Sequence, residues 1–324
     1  MSFAARLVDR LLEAPIAPSF TRAGYRIRSS LFDWNDLDTI DGAGKTVVLT
    51  GATSGLGLAA AHRLADAGAT LVILGRNAEK TERVREELAG GGADVSSVIA
   101  DMGDLDQVRR VSAEIRERHP RIDALLHNAG ALSADRRDNN AGIELTVASQ
   151  VVGPFLMTHL LLGALDAAHG RVITMSSGGM YASPLRVKGL QMSETDYGGS
   201  EQYSRAKRAK VTLNEMWPAE SSHPNVQFHA VHPGWADTPG VRESLPMFRR
   251  IVGPALRTPD EGADTMVWLA LTDDLGDAPN GSFWLDRAPR DIHRLPKTRR
   301  SDTPARRREL WDVVTQLSGL DTDT

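Results

Sequence analysis

The sequence predicts an α/β fold, a doubly wound, seven-stranded parallel sheet with helices on both faces. Two observations predict it. From Lys45 onward, short apolar runs alternate with longer stretches of helical periodicity, the pattern of successive βαβ units. A glycine-rich segment, TGATSGLG at 50–57, follows the first run and opens the first helical stretch, as the strand-to-helix turn of such a unit does.

Six strands are expected at 45–50 (KTVVLT), 70–74 (TLVIL), 95–100 (VSSVIA), 122–127 (IDALLH), 171–175 (RVITM) and 226–231 (VQFHAV), each rich in β-branched or apolar residues. GSFWLD at 281–286 supplies the seventh. Helices are expected between them, notably over 57–67, 79–89, 105–119 and 144–167. Pro154 falls inside the last of these, so a long helix bent at that point is expected. Residues 1–43 read as an N-terminal helical extension, 44–287 as the main domain, and 288–324 as a basic extension with a short helix near 308–317.

Composition narrows the function. At 324 residues, 41% hydrophobic and 25% charged, the chain resembles an average soluble globular protein. A net charge of −4 and an isoelectric point near 6.2 provide no field for nucleic acid. The absence of cysteine excludes disulfides, thiolate metal sites and cysteine nucleophiles. Nine scattered histidines without an HExxH segment point to no metal. No signal peptide and no membrane span are expected, and a cytoplasmic location follows from that reading. Ala4, Leu7, Val8, Leu11 and Leu12 recur at helical spacing. The helix they predict over 3–13 would lie against its own domain, a partner subunit or a membrane surface.

Gly51, Gly55 and Gly57 sit where a backbone must take positive φ and approach a ligand, beside helix N–H groups that attract a pyrophosphate. A tight structural turn would use the same residues. The second strand ends at Gly75-Arg76-Asn77, where such a fold meets the adenosine ribose. A carboxylate there would select a free 2′-hydroxyl, whereas Arg76 offers a donor fork suited to a 2′-phosphate. NADP(H) is therefore expected over NAD(H), unless Arg76 is simply a surface arginine. Asp101 follows the third strand and is placed either for the adenine edge or as a helix cap, a role for which Asp104 is better positioned.

Tyr203 and Lys207 lie four apart in EQYSRAKRAKVTLN and share one helical face. A tyrosine titrates near 10, so a neighbouring cation is needed if it is to exchange a proton near neutrality. Taken alone the pair could be a solvated helix face. Its place between the fifth and sixth strands, behind a glycine turn, favours chemistry. Ser176 and Ser177 close the fifth strand at the sheet edge where ligands bind, able to donate to a carbonyl oxygen or to serve as ordinary turn residues. Neither serine stands in a GxSxG elbow, so a serine hydrolase is disfavoured.

With TGATSGLG, HNAG at 127–130, the serine pair, YSRAK at 203–207 and HPGWADT at 232–238 in order, the sequence resembles the short-chain dehydrogenase/reductase superfamily over about 44–285. It is a Rossmann-type family. SSGGM at 176–180, HPGWADTPGVR at 232–242 and GADTMVWLAL at 262–271 resemble its retinol-dehydrogenase-like branch more narrowly. The resemblance implies that Ser177 orients the substrate, Tyr203 is the general acid/base, and Lys207 holds the nicotinamide ribose and lowers the tyrosine pKa. It implies cofactor contacts from Gly51, Thr53, Ser54, Gly55, Leu56 and Gly57 in the turn, and from Arg76, Asn77, Asp101 and Met102 beyond it. Asn128, Ala129 and Gly130 would line the cofactor, and Pro233, Gly234 and Thr238 would orient the nicotinamide. Hydride would pass between C4 of NADPH and a carbonyl carbon while Tyr203 exchanges a proton with the oxygen.

One departure stands out. Where the family carries an asparagine that supports a proton relay to the lysine, alignment on Gly153 places Gln150, so a retuned relay is expected. That change motivates an alternative, a catalytically weak NADP(H)-binding sensor or scaffold. Residues 239–257 would cover the pocket as a lid, with Leu245, Met247, Phe248 and Ile251 lining it for an apolar carbonyl or alcohol, or else form a surface helix. The family often pairs through the tyrosine-bearing helix, which makes a homodimer the expected assembly, although Trp217-Pro218 is expected to end that helix early.

Overall fold

Strands with no polar face need cover on both sides, and the middle of this sheet is built from such strands. The computed structural model describes residues 3–13, 17–34, 37, 39–244 and 246–320. Helices α1 (Phe3–Glu13), α2 (Ala17–Phe20) and α3 (Arg22–Leu31) precede β1 (Thr46–Thr50), in which Val47, Val48 and Leu49 are fully buried. Then follow α4 (Gly55–Asp66), β2 (Thr70–Gly75), α5 (Ala78–Gly90), β3 (Val95–Ile99), α6 (Leu105–Arg118) and β4 (Ala124–His127). Period-two alternation divides the strand residues between two cores. Val48 packs with α6 and later helices on one face, while Val47 and Leu49 pack with α4 and α5 on the other.

The expected long helix over 144–167 is instead composite. It comprises α7 (Leu145–Val147), a π-helical stretch Ala148–Val152 and α8 (Gly153–Ala168). Pro154 therefore stands in the first turn of α8, where its missing N–H costs nothing, and the irregularity falls just before it. Leu145–Ala168 is long and apolar enough to cross a membrane, yet most of it is buried inside the fold. After β5 (Arg171–Met175) and α9 (Gly179–Ala182) comes α10 (Gly199–Glu220). Here the expectation of an early end is corrected, because the helix runs two residues past Pro218. A proline in the last turn removes a single hydrogen bond, and Trp217 is anchored by stacking on Phe228 at 5.4 Å.

β6 (Gln227–His232), α11 (Pro239–Ser244), α12 (Pro246–Val252), α13 (Pro259–Leu271) and β7 (Phe283–Leu285) complete the parallel sheet, in the order β3-β2-β1-β4-β5-β6-β7. The seven parallel strands are as expected. An eighth, β8 (Ala288–Pro289), adds antiparallel to β7. Asp286 and Arg287 both take positive φ, which makes the two-residue turn that returns the chain. The basic C-terminal segment is ordered rather than irregular: α14 (Pro296–Ser301) and α15 (Pro304–Leu317) follow, with Leu310 and Val314 fully buried in the main core.

The N-terminal helices are tied to the sheet by buried charge. Arg28 is wholly buried and donates to Asp9 at 2.7 Å, Glu13 at 3.0 Å and Asp286 at 2.7 Å. Arg257, equally buried, binds both carboxylate oxygens of Asp286, at 2.6 and 2.9 Å. Removing one partner of a buried pair strands the other charge, at a cost of about 3–5 kcal/mol. Asp286→Asn should therefore lower stability by about that amount in urea unfolding, whereas Glu79→Gln, which breaks only the exposed pair with Arg83, should cost less than about 1 kcal/mol.

Candidate active site

The strand order reverses between β1 and β4, and the crevice at that switch point is where open α/β sheets bind ligands. The turn from β1 to α4 lines it. Gly51 adopts φ +72°, and a Cβ there would lie 2.8 Å from Ala129 Cα. Gly57 comes so near the start of the turn that a Cβ would sit 2.0 Å from the Gly51 oxygen. Ser54 is the N-cap of α4, but its side chain accepts no hydrogen bond from the first turn. By contrast, Asn77 caps α5, Asp104 caps α6 and Thr258 caps α13. The amides that open α4 are thus left for an external acceptor.

Around this turn the expected cofactor residues divide into ligand-facing and structural groups. Asn128 uses its Nδ2 to donate to the carbonyls of Thr50 and Gly51, and the Ala129 amide donates to Thr50 Oγ1, so both brace the turn. The methyl group of Thr53 lies beside Gly75, and Leu56 packs towards Gly262, which leaves their polar backbone for contact. Met102 is buried in the core, so only its backbone is open to a ligand. Arg76 stands exposed beyond β2 with no hydrogen bond among the described residues. Asn77 is committed through its Oδ1 to Lys80 N. Asp104 takes the cap of α6, while Asp101 accepts from Gly103 N at 2.8 Å at the end of β3.

At the carboxyl end of β5, three side chains from separate elements meet. Ser177, two residues past the strand, stands near enough to Tyr203 of α10 to favour its ionised form. Lys207, one turn further along α10, donates to Met175 O at 3.0 Å with its ammonium 5.1 Å from the tyrosine ring centroid. Ser176 is buried. Burial pushes the Tyr203 phenol up, and Ser177 works in the opposite direction. Burial also holds Lys207 down, at about 7. The expectation that Lys207 lowers the tyrosine pKa is thus not what the polypeptide alone produces, since desolvation dominates both groups.

Gln150 joins them. The π-helical stretch carries it into the core, where its Nε2 donates to Ala131 O at 2.7 Å and its buried Oε1 has no partner among the described residues. A Cβ on Gly130 would lie 2.9 Å from that Oε1 and 3.4 Å from Lys207 Nζ, so the two groups border the same spot. Gly234 adopts φ +71°, and Thr238 packs its side chain against Gly55, which brings the PGxxxT segment to the glycine turn.

On the covering segment Met247 and Ile251 are 67% and 73% exposed, as in the surface-helix alternative rather than a pocket lining. Arg242 of α11 and Arg249 of α12 both bind Asp237, at 2.9 Å each, while Arg249 and Arg250 stay exposed like Met247 and Ile251. Leu245 and the Phe248 side chain lie outside the described residues.

Sequence reading passed over Lys210. It is buried, with an unpartnered Nζ, beside a cavity of about 20 Å³ that it shares with His127, Thr158 and Thr174. His127, bonded to Thr158 at 2.8 Å, faces this cavity rather than the glycine turn. A charged residue three places after Lys207 on an otherwise apolar helix face was the available signal.

A model of the short chain dehydrogenase family matches residues 45–247. The chain belongs to the short-chain dehydrogenase family. It is 34% identical to human dehydrogenase/reductase SDR family member 12, over 92% of this chain and 94% of that protein. Mouse retinol dehydrogenase 14 is 31% identical over 86% of each. Among solved structures, an uncharacterised protein from Mycobacterium paratuberculosis superposes with a TM-score of 0.69 at 25% identity, covering 88% of this chain and 97% of its own. As a member, the chain is an oxidoreductase of a family that binds NAD(P) and acts on small molecules.

The buried lysines set a pH dependence. A lysine whose folded pKa is depressed leaves the unfolded chain holding more protons between the two values, so stability rises with pH across that window. For Lys207 it extends from about 7 to about 10. The melting temperature of the unliganded protein should rise from pH 7 to pH 9, and Lys210→Met should raise it at pH 7 and flatten the slope. A melting temperature that is flat or falls over this range would show that Lys207 stays charged in the fold.

Proposed function

We propose that the chain is an NADP(H)-dependent oxidoreductase that interconverts a carbonyl and an alcohol on a small, apolar molecule. The observation that carries this reading is the convergence of Ser177, Tyr203 and Lys207 at the carboxyl end of β5, across from a glycine turn whose helix start is uncapped. The cradle fits a dinucleotide. Side chains are excluded from Gly51 and Gly57, α4 offers free amides, and Lys207 has ammonium protons left after its bond to Met175 O. When bound, the nicotinamide would supply or accept the hydride. Arg76, exposed and uncommitted, would hold the 2′-phosphate that distinguishes NADP(H).

The chain's own residues do the rest. Ser177 donates to the substrate oxygen and fixes the carbonyl against Tyr203. Tyr203 passes its phenolic proton to the oxygen as charge develops there, or takes it back in the alcohol direction. Its raised pKa keeps it protonated at rest. Lys207 steadies the phenolate once it forms, because its buried ammonium lies 5.1 Å from the tyrosine ring centroid. Gln150 Oε1, unpartnered beside Lys207, is the acceptor through which a water would return the proton. The likeness to retinol dehydrogenase 14 supports an apolar alcohol or its carbonyl as substrate.

The test combines cofactor titration with a panel of aldehydes, ketones, retinoids and steroids. NADPH should bind at least about tenfold more tightly than NADH, and Arg76→Ala should remove most of that preference, as loss of a charge-assisted bond implies. Tyr203→Phe should lower kcat by about 10²–10⁴-fold with cofactor affinity nearly unchanged. Gln150→Asn should alter turnover and its pH profile. Tight NADPH binding without turnover on any of these compounds would replace the enzyme reading by that of a cofactor-binding sensor.

A further inference from the structure

Phe20 belongs to the N-terminal extension, outside the segment 45–247 that matches the family, yet it reaches the nicotinamide end of the crevice. Its ring is buried and stacks on His232 with centroids 4.2 Å apart and planes 21° from parallel. It meets Trp235 edge-on at 5.8 Å. The serine turn borders the edge of this stack: a Cβ on Gly178 would sit 3.3 Å from the Phe20 ring and 2.9 Å from His232 Nε2. One side chain therefore touches Gly178, next to Ser177, as well as His232 and Trp235, which flank Pro233 and Gly234.

The backbone of the same residue is gripped by the loop it supports. Phe20 O accepts from the Trp235 amide at 2.8 Å and from Arg257 Nε at 3.1 Å. Arg257 also donates to Ser19 O at 2.9 Å, and its own amide donates to Trp235 O at 2.7 Å. Gly234 has no room for a side chain because Arg257 fills that space, with Nε 2.2 Å from where a Cβ would stand. The Gly234 amide donates to His232 Nδ1 at 2.7 Å, which orients the imidazole under the Phe20 ring. Burial keeps that imidazole neutral, with its pKa at about 3, so the stack is a neutral ring pair at every working pH.

We propose that Phe20 is a positioning residue that locks the serine turn and the Pro233–Trp235 turn into one unit, setting the distance between substrate oxygen and nicotinamide. This rests on the carbonyl–alcohol reading above. The adenosine half of the cofactor, held by the glycine turn and Arg76, lies outside its reach. The extension then acts at the reacting end alone, and loosening it should spare cofactor binding while spoiling geometry, where small displacements are costly to rate.

Phe20→Ala and Phe20→Leu in the full chain test this. Adenosine 2′,5′-bisphosphate, which lacks a nicotinamide, should bind both variants within about twofold of the parent by calorimetry. In Phe20→Ala the fluorescence change of bound NADPH, which reports the nicotinamide surroundings, should fall by at least half. Its kcat should drop at least about tenfold, by more than any rise in KM for the carbonyl. Phe20→Leu, which keeps most of the volume, should lie between Ala and the parent and serves if the Ala variant does not fold. A folded Phe20→Ala, or Phe20→Leu in its place, with parental NADPH fluorescence and kcat would overturn the proposal and leave Phe20 as packing only. If the parent turns over no carbonyl, the reaction assignment fails separately, and the fluorescence comparison still decides the role of Phe20.

Discussion

One carboxylate, that of Asp286, holds two wholly buried guanidinium groups, and much of the architecture around the crevice depends on it. Arg257 binds both of its oxygens and Arg28 shares Oδ2, and each carries its own segment with it: the chain after α12 in one case, the N-terminal helices in the other. Its bonds to the arginines hold the Asp286 carboxyl below the usual carboxylate range despite burial. The residue also sits in the left-handed turn that launches β8. An N-terminal extension, the last strand pair and the loop after β6 are therefore coupled through a single charge cluster. Buried ion pairs add little net stability against apolar packing, but they tolerate few alternative arrangements. Here that selectivity falls on the elements beside Ser177, Pro233 and Gly234.

Electrostatics within the crevice follow from its dryness. Tyr203 and Lys207 are drawn away from their charged forms by burial, one upward and the other downward. Lys210 adds a second depressed amine on the same helix, further disfavoured by the charge of Lys207. Burial thus disfavours the charged form of three ionisable groups along one helix. A phosphate-bearing dinucleotide would bring the negative charge that the isolated polypeptide lacks, which gives a physical reason for a lysine with spare protons at this point.

Much of the sheet was legible because its strands are near-continuous apolar runs, and period-two alternation then assigns each residue to a face. The glycine turn was legible for a related reason: at Gly51 and Gly57 no other residue fits. Other features left weaker marks. β8 follows an Asp-Arg pair, which is not the usual composition of a left-handed two-residue turn. In α15 the run Arg306, Arg307 and Arg308 conceals the apolar face formed by Leu310 and Val314. Arg249 of α12 pairs with Asp237, a contact that periodicity does not encode.

By itself the sequence determined the class of sheet, the glycine cradle, the i, i+4 placement of Tyr203 and Lys207, and the substitution at Gln150, because each is a local pattern tied to backbone geometry. Tertiary structure decided which groups meet. Phe20 touches the loop after β6 through partners more than 200 positions away along the chain, and Gln150, carried on the π-helical stretch, borders the same spot at Gly130 as Lys207. Contacts of that kind depend on how separate elements pack, and a local pattern carries no record of distance in space.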